Sequence, residues 1–216
     1  LGDVYKRQIG DHKQLGAVEN GGLFGAMVNA AGRTDNQLSE VVRFGGDSEQ
    51  SATSLRLREG DSSTFDFYAE RGWVNGGARG DMLDKAAADY LADISSGKTS
   101  LLIAATNRDV AELNETIRAH YIANGEVDTT VEAQLSRGEK AGVGDTILAR
   151  KNQTFYDDDT ATSTRINNGT LLTVTGIAED GSITARNQTT GEELCLPADY
   201  VRDNVQLGYA ATVHRA

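Results

Sequence analysis

Between residues 81 and 121 the chain reads as helix, apolar run, helix, and few folds accept that order. "DMLDKAAADYLADIS" (81–95) carries Met82, Leu83, Ala86, Ala87, Tyr90, Leu91 and Ile94 on one stripe. "SLLIAA" follows, a bare apolar run of the kind that parallel sheets bury on both faces. "TNRDVAELNETIRAHYI" then repeats Val110, Leu113, Ile117 and Tyr121 at helical spacing, with Thr106 or Asn107 able to cap. The rhythm predicts an α/β domain, a parallel sheet with flanking helices. "SSGKTS" (95–100) looks like the tail of a phosphate-binding loop. Position 92 is Ala where that motif needs Gly, and the helix precedes the strand instead of following it. A Gly-capped helix end is the expected structure there.

The texture changes near residue 125. From about 143, short strands alternate with turn signals: "DTILARKN", "GTLLTVTGIAEDG", "SITARNQTTG", "EELCLP". Glu179-Asp180-Gly181 and Thr189-Thr190-Gly191 are predicted hairpin turns. The pattern predicts a small β-barrel-like insertion, after which "VQLGYAATVHRA" returns to an apolar strand. Upstream, Leu23, Phe24, Met27 and Val28 predict a short helix. "DSEQSATSLRLREGD" predicts another, with Ser48 as N-cap and Leu55 on its apolar face. "FDFYAERGWVNGG" predicts a short helix and a turn toward a strand. Phe65, Phe67, Tyr68 and Trp73 have two readings, stacking on bases and packing in a core, and core packing is the expected one.

The formal net charge of −11 argues against a generic nucleic-acid binder, though a local basic groove stays open. The lone Cys195 excludes an intrachain disulfide and fits a cytoplasmic setting. Leu101–Ala105, the longest apolar run, is too short to cross a bilayer, so no membrane role is expected. His12, His120 and His214 lack metal-ligand spacing, and no metal site is expected.

"IGDHKQLGAVENGG" (9–22) has two readings of equal weight. It is either an exposed polar loop or, with Gly10-Asp11 at a strand's C-terminal end, the edge where α/β sheets bind ligands. Its surroundings decide. "GDHKQLGAVENGGLF" resembles the third motif of superfamily 1 DNA helicases, and "LGYAATVHRA" (207–216) resembles their fifth. "QLSEVVRF" is similar to the fourth, "ATNRDVAELNETIR" to a segment beside the DNA path. "GDTILARKN…NNGTLLTV" is similar to the entry of an SH3-like insertion. Five matches in order cover nearly the whole chain. The chain resembles RecD-like superfamily 1 helicases, above all the helicase region of conjugative relaxases of the TraI/TrwC (MobF) type.

The resemblance implies the second domain of a RecA-like P-loop NTPase with an inserted small SH3-like β-barrel. It implies an ATP-dependent helicase moving on single-stranded DNA, mostly 5′ to 3′ in that branch. Gln14 is implied as the γ-phosphate sensor, with Gly10 and Asp11 holding its loop. Arg43 is implied as an arginine finger, an element worth about 10³–10⁵ in rate; a surface Arg paired with Glu40 or Glu49 is the plainer alternative. Thr212 and His214 are implied contacts to DNA and the ATP cleft. Thr106, Asn107 and Asn114 are expected as further polar contacts to the DNA backbone, with capping an equal claim on Thr106 or Asn107. Arg150, Lys151 and Asn152, with Arg165, are read either as local positive charge for DNA or as solvated strand ends.

The expected map is 1–8 non-native adaptor, 9–30 the end of the first RecA-like domain, 31–124 the second, 125–203 the inserted β domain and 204–216 the second resumed. The octet is set aside because Lys6, Arg7 and Gln8 cannot line a buried strand. The phosphate loop, the Asp-Glu pair that handles Mg2+ and the sixth motif are not in the sequence, so the chain reads as a fragment. ATP and Mg2+ are expected in the parent, with none bound tightly here. Expected partners are single-stranded DNA, ATP, an upstream RecA-like domain and, in a conjugative parent, a relaxase domain. A RecD-type repair helicase and a non-catalytic DNA- or protein-binding remnant are the alternatives.

Overall fold

A computed structural model describes residues 10, 11, 13, 23–32, 41, 44, 48–157 and 162–212. The chain divides into two compact units, Leu1–Gly76 and Gly77–Ala216.

In the first unit the described elements are helices α1 (Leu23–Ala31), α2 (Ser48–Arg58) and α3 (Thr64–Glu70). Helix α2 opens on Glu49 and closes on Arg56 and Arg58, charges that complement its dipole. Its reversal into α3 is built around Asp61. That carboxylate accepts from the Ser63 hydroxyl (2.7 Å) and from Arg56 Nε (2.9 Å). Those two hydrogen bonds, Ser63 first, hold the Asp61 carboxyl down at about 2. Two expectations fail here. Residues 73–78 form no strand and run directly into the next helix. Trp73 and Phe65 are not core residues, with relative exposures of 55% and 59%. Leu23 and Met27 of α1 and Leu57 of α2 are themselves exposed, so among the described residues the apolar side chains of these helices build no interior for the rings to enter. Phe67, Tyr68 and Trp73 pack on each other instead, with the Arg71 guanidinium 3.5 Å from the Phe67 centroid.

The second unit starts with the predicted rhythm: α4 (Arg79–Ser95), β1 (Leu102–Ala104), α5 (Asn107–Ala123). "SSGKTS" is a helix stop. Gly97 takes φ +75°, its N–H bonds the Ile94 carbonyl, and Lys98 N–H bonds the Asp93 carbonyl. Strand β1 pairs in parallel with β11 (Ala210–Thr212), in the register Leu102↔Ala210, Ile103↔Ala211, Ala104↔Thr212. The expected burial of "SLLIAA" on both faces is overturned. Leu102 and Ala104 pack on the core, whereas Ile103 stays 44% exposed. Helices cover only one face of this two-stranded sheet among the described residues.

Strands β2 (Asp128–Gln134) to β10 (Val205–Leu207) make up the β region, with helix α6 (Ala198–Asn204) inside it. Its main sheet is antiparallel, in the order β10-β4-β7-β8-β9, where β4 is Thr146–Ala149, β7 Leu171–Ile177, β8 Ile183–Asn187 and β9 Glu193–Leu196. Hairpins β2–β3 (Lys140–Val143) and β5 (Gln153–Asp157)–β6 (Thr162–Ile166) complete it. The turns at 179–181 and 189–191 join β7 to β8 and β8 to β9, as their residues predicted. Leu113 and Ile117 of α5 share one core with Ile147, Leu172, Ile183, Leu196 and Val205, so the β region is packed onto α5 and does not stand apart. The chain is thus a mixed α/β protein with a parallel sheet and helices, an arrangement found in P-loop NTPase-type domains. Strand β10 pairs antiparallel with β4, in the register Val205↔Ala149, Gln206↔Leu148, Leu207↔Ile147. No helix among the described residues is long and apolar enough to cross a membrane.

Candidate functional site

Parallel α/β sheets bind ligands beyond the C-terminal ends of their strands. Here β1 ends at Ala104 and β11 at Thr212, side by side in register. Helix α5 starts two residues after β1. One sheet edge therefore gathers Thr212, Thr106 and Asn107, three residues the sequence singled out from segments a hundred residues apart.

Thr106 and Asn107 each have a visible local contact. Thr106 is the N-cap of α5, with extended backbone (φ −121°, ψ 152°). Its hydroxyl accepts from Asp109 N–H (3.1 Å) and donates to Asp109 Oδ2 (2.7 Å). That hydrogen bond first, and the Arg79 ion pair second, lower the Asp109 carboxyl below its ordinary value. Arg79 also bridges to Glu112 at 2.7 Å. Asn107 is exposed, and its Oδ1 lies 3.4 Å from both terminal nitrogens of Arg137. Arg137 thus joins this edge from the β2–β3 connection. It is the one non-glycine residue with positive φ (70°) among the described residues, a strained backbone that carries its guanidinium to the start of α5. No sequence signal announces it beyond the Gly138 that follows. From Arg137 an open groove of about 480 Å³ runs along α5, lined by Glu115, Arg118, Ile122, Glu139 and Lys140. Burial pushes the Glu139 carboxyl up, partly offset by the hydrogen bond it accepts from Leu207 N–H.

Asn114 departs from its expected role as a DNA contact. Its exposure is 2%, its Nδ2 donates to the Leu207 carbonyl (3.3 Å) and its Oδ1 accepts from Ala210 N–H (2.8 Å). A side chain enclosed this way holds the backbone leading to Thr212 and presents nothing outward. The sequence held the clue, because 110, 114, 117 and 121 step along the apolar stripe of α5.

Arg150 and Asn152 lie elsewhere. Arg150 follows β4, and its N–H bonds the Asn204 carbonyl, at the end of β10 remote from Thr212. Asn152 Oδ1 accepts from Asn168 N–H at 2.7 Å and so holds the β6–β7 turn. Arg165 is exposed on β6, opposite Thr154.

In the first unit, Gly10 lies against the Phe24 ring and Asp11 pairs with Arg58 of α2. Asp11 Oδ1 also accepts from Lys13 N–H (3.0 Å), a local turn of the kind that shapes a loop. Gln14, Arg43 and His214 fall outside the described residues.

A family model described as an AAA domain matches residues 6–79, less than half of the chain. The match starts within the opening octet and ends close to the boundary between the two units. A probable conjugal transfer protein TraA of Sinorhizobium fredii is 24% identical over 211 residues, 96% of this chain and 18% of that protein. A conjugal transfer protein TraA of Agrobacterium fabrum is 25% identical over 211 residues, with the same two shares. The chain thus spans about 18% of the length of the curated relatives it matches. These findings bear out the resemblance to the helicase region of conjugative relaxases that the motifs carry.

Proposed function

We propose that this chain is the part of an ATP-driven DNA helicase that couples nucleotide to single-stranded DNA, within a longer protein serving conjugal DNA transfer. One observation carries the reading. The parallel pairing of β1 with β11 puts Thr212 of the fifth-motif segment beside the start of α5, where Asn107 and Arg137 present an amide and a guanidinium. Amide, hydroxyl and guanidinium groups suit phosphate oxygens, which position a strand without reading its bases.

In this reading the antiparallel strands form the small SH3-like barrel of RecD-like helicases, inserted in a RecA-like domain. Arg150, Asn152 and Arg165 would then guide the strand on a separate face. Asp11 shapes the loop that presents Gln14 to the γ-phosphate, and Arg43 stabilises charge on the transferring phosphoryl group. The described residues do not themselves make a phosphate cradle, because the one Gly-Lys-Thr stretch ends a helix and Lys98 is paired with Asp93 at 2.8 Å. ATP with Mg2+ would be held by a phosphate loop and an acidic pair elsewhere in the longer protein. Bound there, the nucleotide supplies the energy of phosphoryl transfer, and this chain senses it and grips DNA.

The test is strand separation by the longer protein on a duplex carrying a single-stranded 5′ tail. ATP-dependent unwinding is expected. DNA binding without unwinding or ATP hydrolysis would move the assignment to a non-catalytic remnant of the fold.

A further inference from the structure

The segment 205–212 belongs to two sheets. As β10 it pairs antiparallel with β4, and as β11 it pairs in parallel with β1. Gly208 and Tyr209 lie between, and apolar packing alone would let such a segment slip in register. Three buried polar side chains converge on this break. Asn114 of α5 bonds the backbone on both sides of it, at the Leu207 carbonyl and the Ala210 N–H. The Tyr209 ring stacks on Tyr121 of α5 (5.4 Å between centroids, 26°). Its hydroxyl donates to Asp145 Oδ1 (2.7 Å) and accepts from Thr146 N–H (3.3 Å). Asp145 is fully buried, and its Oδ2 accepts from Gly142 N–H (2.7 Å) and from Arg118 Nε of α5 (2.8 Å). Gly208 closes the arrangement, since a Cβ there would sit 2.9 Å from the Ile147 backbone carbon.

We infer that Asn114, Asp145 and Tyr209 are positioning residues that lock the 205–212 segment to α5 and to the β4 edge at once, so that Thr212 moves only with both. Hydrogen bonds are directional and fix register where apolar contact does not. Apart from the local Gly142 N–H to Asp145 bond, which fixes the carboxylate in its turn, every bond in this set joins two different segments of the chain, which is what a joint between sheets needs. The consequence for DNA rests on the reading of Thr212 given above; the joint itself does not.

Amide hydrogen exchange on the whole 216-residue chain tests it, with Tyr209→Phe, which keeps the stacked ring and removes the hydroxyl. Exchange at Gly142, Thr146 and Ala210 is expected to rise together about five-fold, the worth of one net hydrogen bond. Only Thr146 bonds the hydroxyl directly, so the rise at the other two reads the coupling. The β7 and β8 amides are expected to stay within about two-fold. A rise confined to Thr146, no rise, or an equal rise through β7 and β8 would each overturn the inference. Should this variant fail to fold, Asn114→Ala decides by the same pattern, read at Gly142 and Thr146. In the longer protein, Tyr209→Phe should raise the oligonucleotide concentration for half-maximal ATP hydrolysis about five-fold, with the rate at saturating DNA within about two-fold. Loss of rate with unchanged half-saturation contradicts the positioning role. If the unaltered protein shows no DNA-stimulated hydrolysis, the motor reading falls, and the exchange pattern still decides the joint.

Discussion

Replacing Asp145 by Ala strikes the most deeply buried charge in the second unit. The carboxylate has no exposure and holds three donors, Arg118 Nε at 2.8 Å, Gly142 N–H at 2.7 Å and the Tyr209 hydroxyl at 2.7 Å. Removing one partner of a buried pair costs about 3–5 kcal/mol, because the other charge is left without compensation. Arg118 keeps Glu132 at 2.8 Å and a side chain 15% exposed, which draws the ion-pair part toward the lower end. The orphaned Gly142 N–H and Tyr209 hydroxyl each add on the order of 1 kcal/mol or more. A net loss of about 5 kcal/mol is expected, a large share of the roughly 5–15 kcal/mol of a typical domain. At about 2–4 °C per kcal/mol for this chain length, the midpoint should fall by about 10–20 °C. Urea unfolding should be followed by far-ultraviolet circular dichroism, because the single Trp73 lies in the first unit and reports on the wrong one. Adding Arg118→Met should restore part of the loss by removing the Nε–H that Asp145→Ala leaves without its acceptor. A loss below about 1 kcal/mol, or a double variant as unstable as the sum of the singles, would refute a coupled buried network.

Other perturbations follow from the same contacts. Burial raises the Glu139 carboxyl above its ordinary 4.5, so the folded state disfavours its charge and stability falls as pH climbs from there through the raised value. Glu139→Gln keeps an acceptor for Leu207 N–H. It should therefore match the parent chain in thermal midpoint below pH 4.5 and exceed it at neutral pH; a difference constant with pH would contradict this. Thr106→Ala removes the α5 cap and should lower the urea midpoint by an amount worth about 1 kcal/mol, with faster amide exchange in the first turn of α5. Gly208→Ala forces a Cβ toward Ile147 backbone and should cost about 1–3 kcal/mol in the same unfolding assay.

The features legible in the sequence are those written locally. The stripe of α5, its Thr106 cap, the Gly97 stop and the turns at 179–181 and 189–191 depend on residues within a few positions of each other. The rest depends on what lies across the fold. Ile103 reads as buried because its neighbours in sequence are apolar, yet its exposure is set by how many layers cover the strand. Trp73 reads as core because it is large and aromatic, yet Leu23 and Met27 of α1 and Leu57 of α2 are themselves exposed and enclose no interior among the described residues. Asn114 reads as a DNA contact by its chemistry, yet its place on the apolar stripe of α5 points it inward. Arg137 reaches Asn107 only through a backbone turn that no residue pattern specifies. Of the candidate site, the sequence pointed to Thr106, Asn107 and Thr212; the register of β1 against β11, which joins them, is a tertiary fact.

The central claim is that this chain works on a phosphoryl group as well as on DNA, and Arg43 tests it most directly. In the longer protein, steady-state ATP hydrolysis with single-stranded DNA present should fall about 10³-fold or more in Arg43→Ala, the scale of an arginine finger, while oligonucleotide binding stays close to unchanged. Hydrolysis at the unaltered rate in Arg43→Ala would contradict the account.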